Sequence, residues 1–141
     1  MKKSSYLLIS MIIILLLSGC ATTAQKAFVT QESAVQLRSI QTRAFDTIDK
    51  KMMMQTIIST MQDLDFVIDK ADFLLGSVTG SKFLKNAIIK MTVTVRTRGE
   101  KQLLVRANAQ YGIKTIEDPQ TYQNFFAALE KALFLTAHKV D

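Results

Sequence analysis

Two stretches in the middle of the chain constrain its fold more than anything else in it. Across residues 90–98, Met91, Val93 and Val95 alternate with Thr92, Thr94 and Arg96. Across residues 101–111, Leu103, Val105, Ala107, Ala109 and Tyr111 alternate with Arg106, Asn108 and Gln110. A period of two belongs to a strand with one buried face. With Gly99-Glu100 between them, the two stretches predict an antiparallel hairpin. A two-residue loop would set Arg98 opposite Lys101, and therefore Val93 opposite Arg106. Opposed residues share a face, so that register would mix the two faces. A shift of one pairs Val95 with Leu103 or Val105, which requires an odd loop, most simply of three residues.

Helices are expected on either side. Asp46 is placed to cap a helix over about 47–63, with Asp49 reaching back as in a capping box. Met54, Ile57, Ile58, Met61 and Leu64 then fall at helical spacing. The Met52-Met53-Met54 run reads as core packing rather than a metal or binding surface, because methionine fills irregular gaps. A second helix is expected over about 119–137. Asp118 caps it, and Pro119 sits in the first turn, where its missing N–H costs nothing. Tyr122, Phe125, Phe126, Leu129, Leu133 and Ala137 make one broad apolar stripe. Partial alternation over 35–45 suggests a first strand, with a slip between Leu37 and Ile40 that a bulge would explain. Phe66–Ala71 and Leu74–Phe83 read as two further strands. Gly76 and Gly80 are expected at a bulge or a close backbone approach. The segment from Gly76 to Lys82 is not a phosphate-binding loop, since Ser81 rather than lysine follows Gly80 and no helix signal follows.

These elements predict an α+β fold. It is a two-layer domain with an antiparallel sheet of about five strands and two helices packed on one face. The open face would carry Lys90, Thr92, Thr94, Arg96, Arg106, Asn108 and Gln110. The 141 residues suit one domain of ordinary size. With 48% hydrophobic and 21% charged residues, the chain is not of a disordered composition. One cysteine allows no internal disulfide, and one histidine, His138, removes multi-His metal sites. Neither a cofactor nor a metal is expected. Asp63, Asp65, Asp69 and Asp72 lie close in sequence but lack the ligand spacing of a calcium loop. No catalytic set is visible, and an enzyme is not expected.

The N-terminus carries the most specific signal. Lys2 and Lys3 precede an apolar run from Tyr6 to Leu17, broken only by Ser10. The run is shorter than the ~20 residues of a membrane-spanning helix and suits a secretion signal. It ends in Leu17-Ser18-Gly19-Cys20, which resembles the lipobox of bacterial lipoproteins. That resemblance implies a signal peptide over 1–19, cleavage before Cys20, and acylation of the Cys20 thiol, usually with acylation of the new amino group. Two or three acyl chains anchor a protein where one is marginal. Ala21 follows the cysteine, which by the same resemblance favours the outer membrane. Residues 20–34 then form a lipidated tether and 35–141 an α+β periplasmic domain. Losing Lys2 and Lys3 leaves 16 Lys and Arg against 12 Asp and Glu, a mild excess that suits an anionic envelope surface. Nucleic acid is not expected as a partner.

The stretches Leu37–Thr47, Met61–Lys70 and Glu117–Phe126 look like motifs of small proteobacterial outer-membrane lipoproteins of unassigned function. That group often reads Leu-Gly-Phe where this chain has Leu64-Asp65-Phe66, and aspartate is a poor residue for a left-handed helix end. The topology is also similar to the helix-grip domains found in a lipoprotein component of the outer-membrane β-barrel assembly machine, although topology does not fix function. The expected function is an interaction or structural module of an envelope complex, such as secretion, barrel-assembly or efflux machinery. Arg96, Arg98 and Arg106 are its candidate docking surface. The alternative is a carrier of lipid or another apolar ligand, in a cavity lined by Met53, Met54, Phe125 and Phe126.

Overall fold

The hairpin forms as its faces require. The computed structural model describes residues 33–137. In it β4 (Ala87–Arg98) pairs with β5 (Gln102–Tyr111), with Arg98 opposite Gln102. The loop is Gly99-Glu100-Lys101, three residues long, and Val95 lies opposite Val105. Val93, Val95, Leu103, Val105, Ala107 and Ala109 are all closed from solvent on the same face.

The remaining strands build outward from this pair. In chain order the elements are helix α1 (33–40), β1 (Thr42–Phe45), α2 (Lys50–Asp63), β2 (Val67–Asp72), β3 (Ser77–Leu84), β4, β5, β6 (Lys114–Thr115) and α3 (Pro119–Ala137). The antiparallel sheet runs β1-β5-β4-β3-β2, with β6 paired to the far end of β5's outer edge. A compact unit begins at Leu37. Helices α2 and α3 cover one sheet face, and Met53, Met54, Ile57, Met61, Tyr122, Phe125, Phe126 and Leu129 join the strand residues in one core cluster. Each such large apolar side chain contributes about 1.5–3 kcal/mol by burial.

The first strand is the main departure from expectation. Residues 33–40 are helical, and only Thr42–Phe45 pair with β5. The slip between Leu37 and Ile40 is a helical step of three. Both residues are partly buried against the core, so packing rewards the helical period. Arg43 of β1 then reaches α3, with its guanidinium 5.0 Å from the Phe126 ring centre and 2.6 Å from the Glu130 carboxylate.

The start of α2 also differs. Asp49, not Asp46, is the cap, and its carboxylate accepts from the Met52 N–H at 2.8 Å. Asp46 instead accepts from Gln102 Nε2 at 2.6 Å. The cap of α3 is as expected. Asp118 accepts from the Thr121 hydroxyl and from the N–H groups of Gln120 and Thr121. The Thr121 hydroxyl bond does most to hold its carboxyl below the usual carboxylate range, against the opposing effect of desolvation. The Ala137 side chain and His138 lie outside the described residues.

Strands β2 and β3 begin later than the apolar pattern suggested, and Leu74 and Leu75 are exposed in the turn between them. Gly76 in that turn has φ +73°, and its carbonyl accepts from the Val95 N–H at 2.8 Å. Opposite Gly80, the strand β2 carries an irregularity between Ile68 and Lys70.

Asp65 does take the left-handed conformation, with φ +66°. The Phe66 N–H reaches back to the Met61 carbonyl (2.9 Å) and the Asp65 N–H to Gln62 (3.0 Å), closing α2 with a Schellman motif. Phe66 and Met61 are both in the core, which supplies the apolar contact of that motif. Lys82 Nζ completes the helix end, donating to the Leu64 carbonyl at 3.0 Å and meeting the Asp65 carboxylate at 3.2 Å. Asp65→Gly is expected to stabilise the fold by about 0.5–1 kcal/mol. It relieves roughly 1–2 kcal/mol of left-handed strain at the cost of glycine's extra unfolded-state freedom. The exposed Lys82 pair adds little. A denaturant midpoint at or below wild type would show that Asp65 bears no strain.

Candidate functional site

The sheet face away from α2 and α3 carries a polar surface. On β4 and β5 the register sets Lys90 opposite Gln110, Thr92 opposite Asn108, and Thr94 opposite Arg106. Arg96 lies opposite Leu104, so Arg96 and Arg106 are diagonal neighbours rather than a direct pair. These positions alternate with the buried set along each strand. The pleat that closes the core therefore also composes this face.

A depression of about 580 Å³ lies on it, lined by Arg38, Thr42, Thr92, Thr94, Arg96, Leu104, Arg106 and Asn108. Three guanidinium groups thus border one concavity whose lining contains no carboxylate. Arg106 donates to Gln41 Oε1 at 3.3 Å, which turns its head toward the β1 edge. Arg96 and Arg106 are exposed. Asn108 Oδ1, closed from solvent, has no hydrogen-bond partner among the described residues. Arginine's planar fork suits carboxylate and phosphate groups, and three forks without an internal counterion favour an anionic visitor.

Of the three arginines expected here, Arg96 and Arg106 line the depression. Arg98 points to the same face but stands at the hairpin end, opposite Gln102, and does not line it. Arg38 takes the third place. Sequence reading missed it because it assigned that segment to a strand; the helical step from Leu37 to Ile40 was the available signal. Cys20, with the signal peptide and most of the tether, lies outside the described residues.

Gln41 connects this face to the interior. Its Nε2 donates to Tyr122 Oη at 3.0 Å, while its Oε1 accepts from Arg106. Tyr122 Oη also accepts from the Ala109 N–H at 3.3 Å and donates to the Ile116 carbonyl at 2.5 Å. The outer edge of β5 is covered on one side by β1, where the Ala107 N–H meets the Gln41 carbonyl. On the other side the Ile116 N–H meets the Ala109 carbonyl. The tyrosine hydroxyl fills the place between them.

Of the clustered aspartates, Asp65, Asp69 and Asp72 have structural partners. Asp69 accepts from the Ser81 hydroxyl at 2.7 Å, and Asp72 from the Leu75 N–H at 2.9 Å. Among the described residues no group of three His, Cys, Asp or Glu side chains is placed to hold a metal ion. Met53, Met54, Phe125 and Phe126 are at most 1% exposed, packed within the core rather than around an open cavity. No helix among the described residues is long and apolar enough to cross a membrane. Comparison with protein-family profiles gives no match, and comparison with curated proteins gives none either.

Proposed function

We infer that the chain is a lipid-anchored envelope protein whose folded part is an interaction module, docking an acidic partner surface on the open sheet face. The observation that carries the docking is the depression bordered by Arg38, Arg96 and Arg106 with no carboxylate in its lining. The anchor rests on Leu17-Ser18-Gly19-Cys20 and the apolar segment before it. Acylation at Cys20 holds the module at the outer membrane, on its periplasmic side, where a neighbouring envelope complex presents the partner. Electrostatic complementarity of this kind sets partner choice and association rate, and salt weakens it. The core packing of Met53, Met54, Phe125 and Phe126 leaves the carrier alternative without an observation in its favour.

The test is co-purification from crosslinked membranes. Arg96→Glu combined with Arg106→Glu is expected to keep the melting curve and lose envelope partners that wild type retains. Palmitate labelling of wild type and its absence from Cys20→Ala checks the anchor separately. If the folded double variant recovers the same partners in the same yield, docking through this face is wrong.

A further inference from the structure

A second surface lies at the end of the sheet where β3 turns into β4 and β5 into β6. Both turns have two residues, Lys85-Asn86 between the Leu84–Ala87 pair and Gly112-Ile113 between the Tyr111–Lys114 pair. The register brings them side by side, because Ile89 on β4 faces Tyr111 on β5. Phe83 (64% exposed), Ile88 (51%) and Tyr111 (52%) surround the turns, and Ile113 is fully exposed. A depression of about 500 Å³ between the two turns is lined by Leu84, Ile88, Tyr111 and Gly112 among others, with Phe83 and Ile113 exposed beside it. Single exposed apolar residues are ordinary, but a contiguous cluster of them marks an interaction surface. Tight turns normally carry polar residues or glycine. Gly112 already supplies the left-handed position, with φ +59°, so nothing in the turn calls for isoleucine beside it.

The cations identify the occupant. Lys85 lies in one turn, Lys114 directly follows the other, and Lys90 stands two residues beyond Ile88. None of these lysines is in an ion pair among the described residues, where the pairs are Arg43–Glu130 and Lys82–Asp65. At this end of the sheet Asp65 is engaged by Lys82 and Asp69 by Ser81, so the exposed Glu117, three residues after Lys114, is among the described residues the one carboxylate set against the three lysines. Strand β1 starts beside Ala107 and runs away from the tip, reaching Phe45 opposite Leu103, so it leaves the turns uncovered. Apolar side chains among unpaired lysines match a bilayer surface. The apolar groups enter the acyl boundary, while ammonium groups stay with anionic headgroups.

We propose that the β3–β4 and β5–β6 turns form a tip that rests on an anionic lipid surface. Ile113 and Phe83 enter the acyl boundary, and Lys85, Lys90 and Lys114 lie at the lipid phosphates. This takes from the docking reading only the nearness of a membrane, and it leaves the Arg38–Arg96–Arg106 depression open.

The chain has no tryptophan, so a single substitution reports cleanly. Full-length Ile113→Trp protein is reconstituted into phosphatidylcholine vesicles containing phosphatidylglycerol. Its emission is expected to be blue-shifted, and most of it lost when brominated phosphatidylcholine replaces the plain lipid. Leu74→Trp, in the turn at the opposite end of the sheet and 90% exposed in wild type, is expected to emit as in water. Adding Lys85→Glu and Lys114→Glu to Ile113→Trp is expected to return the emission toward the water value. A melting curve checks each variant, and Tyr111→Trp replaces Ile113→Trp if the latter does not fold. Water-like emission from the folded reporter overturns the proposal. A blue shift that brominated lipid does not quench overturns it too, assigning the tip to a second copy or a protein partner. Neither result bears on co-purification through the arginine face, so the two readings fail separately.

Discussion

Tyr122→Phe is expected to destabilise the protein by about 2–4 kcal/mol, although it removes one oxygen atom and no apolar surface. The hydroxyl is the shared partner of the Ala109 N–H, the Ile116 carbonyl and Gln41 Nε2. Phenylalanine leaves these groups without it, and a buried group left unpaired costs about 1–3 kcal/mol. For a domain of this size the melting temperature should fall on the order of 10–20 °C. Amide exchange should accelerate most at Ala109, where β1 and β6 leave β5 uncovered. Tyr111→Phe, at a half-exposed position, is the control and should be neutral. A Tyr122→Phe variant within about 0.5 kcal/mol of wild type would mean that water replaces the hydroxyl, and that the edge of β5 does not depend on it.

Gly76→Ala should cost about 2–4 kcal/mol. Part of this is backbone strain, since φ +73° costs an L-residue roughly 1–2 kcal/mol. The rest is contact. A Cβ at Gly76 would stand 2.6 Å from the Val95 carbonyl oxygen and 2.6 Å from Lys50 Cε. The lysine can swing away, but the carbonyl belongs to the central strand. Moving it would disturb the Val95 N–H to Gly76 carbonyl bond, whose net worth is about 1 kcal/mol. Gly99→Ala separates the two contributions. Its φ is +61°, yet nothing lies within 4 Å of a Cβ there, so it should lose only about 1–2 kcal/mol. Equal losses at the two glycines, measured by denaturant unfolding, would show that strain alone decides the cost.

Alternation over 90–111 was enough to determine the central hairpin, the odd length of its loop and the composition of both faces. A strand buried on one side must keep its register, because a slip of one residue inverts every side chain. The 119–137 helix was equally legible, since Asp118, Pro119 and a four-residue apolar step act locally and agree. These signals need no knowledge of the rest of the chain.

The sequence did not place what depends on distant partners. Asp46 and Asp49 are both reasonable caps, and the choice falls to Asp49 while Asp46 pairs with Gln102, 56 residues away. The segment 33–45 holds too few apolar residues to fix its own period. Its helix and short strand follow from what Leu37, Ile40 and Gln41 meet in the core and at the edge of β5. That choice brings Arg38 beside Arg96 and Arg106 and leaves Arg98 outside. Left-handed Asp65 follows the same logic, because the Phe66–Met61 closure and the Lys82 contact hold a conformation that aspartate alone disfavours. Along the regular stretches of the central hairpin and the last helix the sequence by itself determined which residues face inward, because burial acts on every residue of a repeating pattern. Tertiary structure alone decided which polar groups meet, because each such meeting rests on one or two bonds between segments far apart in the chain.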